Sequence, residues 1–195
     1  MKKIQVIMLY AIVFIPFIAS AEIKKETQAK ETETSTKMEA FLSKRGKIIV
    51  KNTYELGEIS GRYGAKIKFD AMVLFEPGQE NQKILGIKIE VFGGVKYEQS
   101  DISFLDLEEI ESLSDAIKYM SDLLIKWEEV DKEYTEVIFS TKDDFKTGFY
   151  QQGTDRVVFA SSGYMGKASC YFLSPADLKS LKTLIDKGLK LLHDK

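Results

Sequence analysis

Cysteine is almost absent from this chain: Cys170 is the only one in 195 residues. A small exported domain held by disulfides carries an even set of them. Stability is therefore expected from a packed core, with Cys170 buried as a small apolar residue. Histidine is as scarce, and His193 stands alone. A histidine-dependent triad or zinc site has little to build on, and the expected place of His193 is the last turn of a helix, where a cation suits the dipole. No Asp-x-Asp-x-Asp-Gly loop occurs, so an EF-hand is not encoded. No Asn-x-Ser/Thr acceptor occurs either, which fits a bacterial origin. No apolar run reaches the roughly 20 residues that cross a bilayer. Charge of one sign is also missing: 28 Lys and Arg face 30 Asp and Glu. Such a balance does not favour broad contact with nucleic acid or anionic lipid.

The N-terminal residues are the most informative. Met1-Lys2-Lys3 is a short cationic start. An apolar stretch follows from Ile4 to Ile18, broken only by Gln5 and Pro16, and ends in Ala19-Ser20-Ala21. This is the three-part pattern of a secretory signal with a small-residue cleavage site. Residues 1–21 are expected to be removed and the protein to work in the periplasm or outside the cell. An uncleaved anchor is the rival reading. No cysteine follows the run, so a lipoprotein anchor is not encoded, and no membrane span is expected after cleavage. Losing Lys2 and Lys3 takes 28 basic residues to 26 against 30 acidic ones.

Residues 22–37, EIKKETQAKETETSTK, are nearly free of large apolar groups. Such a stretch buries too little to offset its ordering entropy, and a flexible polar linker is expected. From residue 38 to 195 the composition is that of one folded domain. Met38 to Lys44 reads as a helical turn presenting Phe41 and Leu42. Lys47 to Thr53 reads as a strand, and the glycines from Gly57 to Gly64 as turns. Ala65 to Phe75 alternates: Ile67, Phe69, Ala71 and Val73 fall on one side, Lys66, Lys68 and Asp70 on the other. That is a half-buried strand. Leu85 to Val91 alternates likewise, and Ile102 and Phe104 end a fourth strand. Asp106 with Glu109 forms a capping-box pattern before a helix whose stripe is Ile110, Leu113, Ile117, Met120 and Leu124.

The same order follows again. Strands are expected at Tyr134 to Thr141, Phe145 to Tyr150, Arg156 to Ala160 and Ala168 to Phe172. Ser161 to Gly166 is the loop before the last. Ser174-Pro175 opens a second helix with Leu178, Leu181, Ile185 and Leu192 as its stripe. The helix units align at an offset of 68, with Phe104-Leu105-Asp106 over Phe172-Leu173-Ser174. The expected fold is α+β: two antiparallel β-meanders, each followed by an amphipathic helix, in repeat units 47–127 and 134–193 related by a pseudo-two-fold.

Four antiparallel strands and a helix, given twice, resemble the Whirly fold of single-strand DNA binders. The family's Lys-Gly-Lys-Ala-Ala-Leu motif has its nearest match in Arg45-Gly46-Lys47-Ile48-Ile49-Val50, with isoleucine where the family has alanine. The resemblance implies a duplicated sheet-plus-helix domain and, by analogy, single-strand binding. The chain also resembles, more loosely, exported bacterial proteins of unknown function.

Candidate contact residues are few. The loop Ser161–Gly166 offers Tyr164 and Met165 as anchors, with a plain hairpin as the simpler reading. Arg62, Tyr63, Lys66, Lys68 and Lys88 form the best basic-aromatic group, with a solvated sheet face as the simpler reading. Acid clusters at Glu108–Glu111 and Glu128–Glu133 are accounted for by helix dipole and solubility. No catalytic residue, metal ligand or cofactor is assigned. The reading is a non-catalytic binding or protein-interaction module, with an unknown protein or small molecule of the envelope as partner. A carboxylate-only hydrolase comes second, and single-strand binding by fold analogy third.

Overall fold

The computed structural model describes residues 35–94 and 99–195. The expected signal peptide and the expected linker up to residue 34 lie outside the described residues. Helix α1 (Lys37–Leu42) comes first. Strands β1 (Val50–Ser60), β2 (Lys66–Phe75), β3 (Ile84–Phe92) and β4 (Ser100–Asp106) follow, then α2 (Leu107–Lys126). Strands β5 (Lys132–Ser140), β6 (Lys146–Gly153), β7 (Asp155–Ser162) and β8 (Ala168–Tyr171) lead to α3 (Asp177–His193). The strands form two four-stranded antiparallel meanders, β1-β2-β3-β4 and β5-β6-β7-β8. This is the expected four-strand-plus-helix unit given twice. No described helix is long and apolar enough to cross a membrane.

Both helix stripes face inward. Ile110, Leu113, Ile117, Met120 and Leu124 of α2 are buried, as are Leu178, Leu181, Ile185 and Leu192 of α3. They join one core with both sheets, and each fully buried side chain of this kind is worth roughly 1.5–3 kcal/mol. The helices reach across the repeats. Gly188 of α3 lies so close to sheet one that a Cβ there would sit 2.6 Å from Ile87 and 2.7 Å from Leu56. The end of α2 serves sheet two: Trp127 meets Phe149 edge-on at 5.9 Å, and Arg156 donates to the Leu124 carbonyl at 2.7 Å.

The first hairpin turn of each meander docks on the last strand of the other. The Gly61 amide donates to the Ala65 carbonyl at 2.7 Å, and the Thr141 amide to the Phe145 carbonyl at 2.9 Å. Gly64 and Asp144 hold the same left-handed position, with φ of 75° and 52°. Gly61 bridges to Phe172 just after β8, while Asp143 accepts the Phe104 amide on β4 at 2.7 Å. Gly61 must be glycine, because a Cβ would sit 2.3 Å from the Cys170 sulfur and 2.7 Å from the Tyr171 carbonyl.

Three expectations change. The shared Phe-Leu pair is not structurally equivalent. Phe172 points inward beside Val158, as Ser103 does beside Ile89, whereas Phe104 lies on the outer face. Leu105 is buried and Leu173 is 63% exposed. Strand register and helix register thus differ by one residue between the halves. Gly57 is not a turn: it is the bulge of a longer β1, with φ of 144°. The fold also begins inside the expected linker. Thr36 is buried and exchanges a capping box with Glu39, and Lys37 is already helical. A polar sequence hid this start, since a box of Thr and Glu adds no hydrophobicity. Helix α1 lays Met38 and Phe41 on the outer face of sheet one, against Met72 and Leu74. Gly86 leaves the notch, as its Cβ would lie 2.1 Å from the Met38 sulfur.

Candidate functional site

The β1–β2 turn and the edge of β8 enclose a cleft of about 700 Å³. Arg62, Tyr63, Lys167 and Tyr171 supply its larger side chains, and Gly93 and Gly166 its backbone walls. Two of the expected contact residues, Arg62 and Tyr63, therefore line it. Tyr164 and Met165 occupy the turn that ends at Gly166, so three of the four meet bulk solvent at once: Tyr63, Tyr164 and Met165 are each more than 80% exposed.

The backbone under these side chains is unusual. Tyr63 has φ of 59° and Met165 has φ of 54°. Bulky L-residues avoid this left-handed region, at a cost of order 1–3 kcal/mol each. The turn around Met165 closes with the Gly166 amide donating to the Gly163 carbonyl at 2.9 Å. A chain of hydrogen bonds running from the surface inward holds it: Lys167 donates to Asp101 at 2.8 Å, the Ser162 hydroxyl to the other Asp101 oxygen at 3.0 Å, and Ser162 meets the buried Ser103 at 2.6 Å. Arg62 is fixed by its Nε donating to the Phe172 carbonyl at 3.0 Å. Among the described lining residues, Arg62 and Lys167 carry the only formal charges.

The pseudo-symmetric junction, β5–β6 turn against β4, is filled. The Asp143 carboxylate takes the Phe104 amide, its carbonyl takes the Ser103 hydroxyl at 2.7 Å, and α1 contributes Glu39 nearby. Burial pushes the Asp143 carboxyl up to about 7; the Phe104 amide opposes this, and Glu39 and Asp101 add to it.

Lys66, Lys68 and Lys88 are not gathered into a basic groove. Lys88 pairs with the buried Asp70 at 2.8 Å, Lys68 with Glu55 at 3.5 Å and Lys66 with Glu58 at 3.5 Å. Asp70, then Glu55, holds the Lys68 ammonium above its ordinary pKa. The expected outward charges form an ion-paired lattice across β1, β2 and β3 because acid and base alternate in register. The Arg45–Val50 segment leads into β1, which begins at Val50, with Ile48 exposed.

Cys170 is fully buried, and burial, then Asp177, pushes its thiol up to about 12. His193 sits in the last turn of α3, 3.7 Å from Glu111. The helix-start acids are engaged locally: Glu109 accepts the Asp106 amide at 3.4 Å and the Lys142 amide at 2.8 Å. Among the described residues no group of three or more His, Cys, Asp or Glu is placed to hold a metal ion. A second cleft of about 420 Å³ lies between α2 and the approach to α3; its only described carboxylate, Glu128, pairs with Arg156 at 3.3 Å.

One surface escaped the sequence reading. The outer face of sheet two carries Ile138, Gly148, Phe159 and Tyr171 in one cross-strand row, and Glu136, Tyr150 and Val157 in the next. Tyr134 stacks on Tyr150 at 6.0 Å, and Phe159 tilts on Tyr171 at 6.4 Å. The corresponding rows of sheet one are Glu58, Lys68, Glu90, Ile102 and Glu55, Asp70, Lys88, Phe104, charged over β1 to β3 with ion pairs such as Lys88–Asp70 and Lys68–Glu55. Alternation in Tyr134–Ser140 carried the signal, but both of its sides bear apolar residues. Comparison with family models, curated proteins and solved structures finds no match to this chain.

Proposed function

We propose that this protein is an exported, non-catalytic binding module that engages its partner through the cleft between the β1–β2 and β7–β8 turns. One observation carries the reading: two turns from opposite repeats converge, and each holds a bulky, solvent-facing residue in left-handed backbone. Strain of this kind is retained where the displayed side chain has a use. Glycine at Tyr63 or Met165 would serve the fold alone. Export is inferred from the cationic start, apolar run and Ala-Ser-Ala site of residues 1–21.

The carboxylate-hydrolase alternative needs two carboxyl groups opposed across a cleft. Among the described residues none lines the first cleft and Glu128 alone lines the second. Single-strand binding needs a positive groove, and the lysines of sheet one are ion-paired.

The test is proximity cross-linking in the native compartment, comparing wild type with Tyr63→Ala and Tyr164→Ala. A dominant partner that both substitutions remove, with the circular-dichroism spectrum unchanged, supports the cleft. An unchanged cross-link pattern in both variants refutes it.

A further inference from the structure

The outer face of sheet two runs into the cleft. Tyr171 belongs to both: it lines the cleft and ends the row Ile138, Gly148, Phe159, Tyr171. Ser169 does the same one row over. The row spans four strands, roughly 14 Å at the usual strand spacing. Tyr134 is 58% exposed, Ile138 46% and Tyr171 42%. A patch of this size and character marks an interaction surface, and the equivalent rows of sheet one differ: charged side chains fill their first three strands, and only Ile102 and Phe104 on β4 are apolar.

The chemistry of the strip narrows the occupant. Rings and aliphatics form its centre, and hydrogen-bonding groups flank them: Ser140, Lys146 and Ser169 on one side, Glu136 and Gln152 on the other. Glu136 and Asp155, which stands opposite Gln152, outnumber Lys146, so the body of the ligand gains nothing from negative charge. Glu136 beside Tyr150 disfavours a polyanion, whose every unit would carry charge past it. A chain of sugar rings fits instead, with apolar C–H faces for the rings and hydroxyls for the flanking groups. The cleft end differs. Arg62 has only its Nε engaged among the described residues, Lys167 stands beside it, and Asp101 neutralises Lys167 alone. A guanidinium with no carboxylate partner among the described residues suits one carboxylate in a bidentate pair.

We propose that the strip and the cleft together form an extended site for an oligosaccharide, its rings lying across Tyr134, Tyr150, Phe159 and Tyr171 and a carboxylate of its terminal unit meeting Arg62. This rests on the cleft being a binding surface, and the two readings fail separately. The probes are cellotetraonate and chitotetraonate, each with a single carboxylate on its end unit and each beside its carboxyl-reduced form, titrated calorimetrically into the purified protein. The acidic forms are expected to bind at least fivefold more tightly than the reduced ones. Tyr150→Ala is expected to weaken both forms at least fivefold, and Arg62→Gln to erase the difference between them. No heat from either acidic probe with folded protein overturns the proposal, and so does an affinity indifferent to Tyr150→Ala. Tighter, steeply salt-dependent binding of a single-stranded oligonucleotide overturns it in favour of nucleic acid. Loss of the cross-linked partner in Tyr63→Ala without glycan binding leaves the cleft standing and removes the oligosaccharide.

Discussion

The ammonium of Lys182 donates to the hydroxyl of Ser114 at 2.9 Å, and the two residues are 68 positions apart, the offset that aligns the two helices. Equivalent residues meet only at a two-fold axis, so the pseudo-symmetry axis passes between α2 and α3 here. Ser114 in turn donates to Asp186, which Lys182 also reaches at 2.6 Å. Ser114→Ala is expected to lower stability by about 1 kcal/mol. A chemical-denaturation midpoint will show it, and a double-mutant cycle with Asp186→Asn will show less than additive loss.

Asp106 ties α1 to the body of the fold. Its buried carboxylate accepts the Lys37 amide at 2.8 Å and the Met38 amide at 3.2 Å. Asp106→Ala strands two helix-start donors, at about 1–3 kcal/mol. Hydrogen exchange should rise first at residues 37–42, ahead of the sheets. Uniform acceleration across the domain would contradict this arrangement.

Asp143 sets a pH dependence. Its folded pKa of about 7 stands above the ordinary value of 3.8 for an aspartate, so between those values the folded state keeps a proton that the unfolded state has released. Its contribution therefore weakens stability as pH rises from about 4 to about 7 and is constant above that. Asp143→Asn removes this slope. Thermal midpoints at pH 4, 5, 6, 7 and 8 should converge between variant and wild type toward acid and diverge toward neutrality, with Asn the more stable.

Met165→Gly separates stability from binding. Glycine relieves left-handed strain of order 1–3 kcal/mol and adds about 0.4–1 kcal/mol of unfolded-state entropy. The melting temperature should hold or rise while partner capture falls. A variant that melts well below wild type would mean that the Met165 side chain serves the fold.

Cys170 should be inert. With the thiol buried and its pKa near 12, Ellman's reagent is expected to react only after denaturation. Prompt reaction in the native protein would place the sulfur at the surface.

Both helices and most strands were legible, for a local reason. A stripe such as Ile110, Leu113, Ile117 is dictated by 3.6-residue periodicity and capped by residues three apart. Ala65–Phe75 declared itself by alternation. Where two faces of one strand are both used, alternation fails as a guide. Met72 and Leu74 lie on the outer side of β2 yet are buried by α1, and Tyr134 and Ile138 lie on the outer side of β5 yet are not charged. The Phe-Leu repeat misled because a one-residue slip reverses which side of a strand a letter occupies.

Arg62, Tyr63, Tyr164 and Met165 were legible singly, as turn residues that are large and polar-flanked. Their convergence was not, because the turns belong to different repeats 100 residues apart and meet only when each hairpin docks on the other meander.

By itself the sequence determined the element order, the inward stripes and the thiol's burial, since each depends on neighbours within a few residues. Only the tertiary structure decided that one junction is filled by Asp143 while its twin is a cleft among the described residues, and that one outer face is an ion-paired lattice and the other an aromatic strip. Those differences come from pairing across strands and between repeats, where the partner of a residue is set by the docking of whole elements and not by its place in the chain.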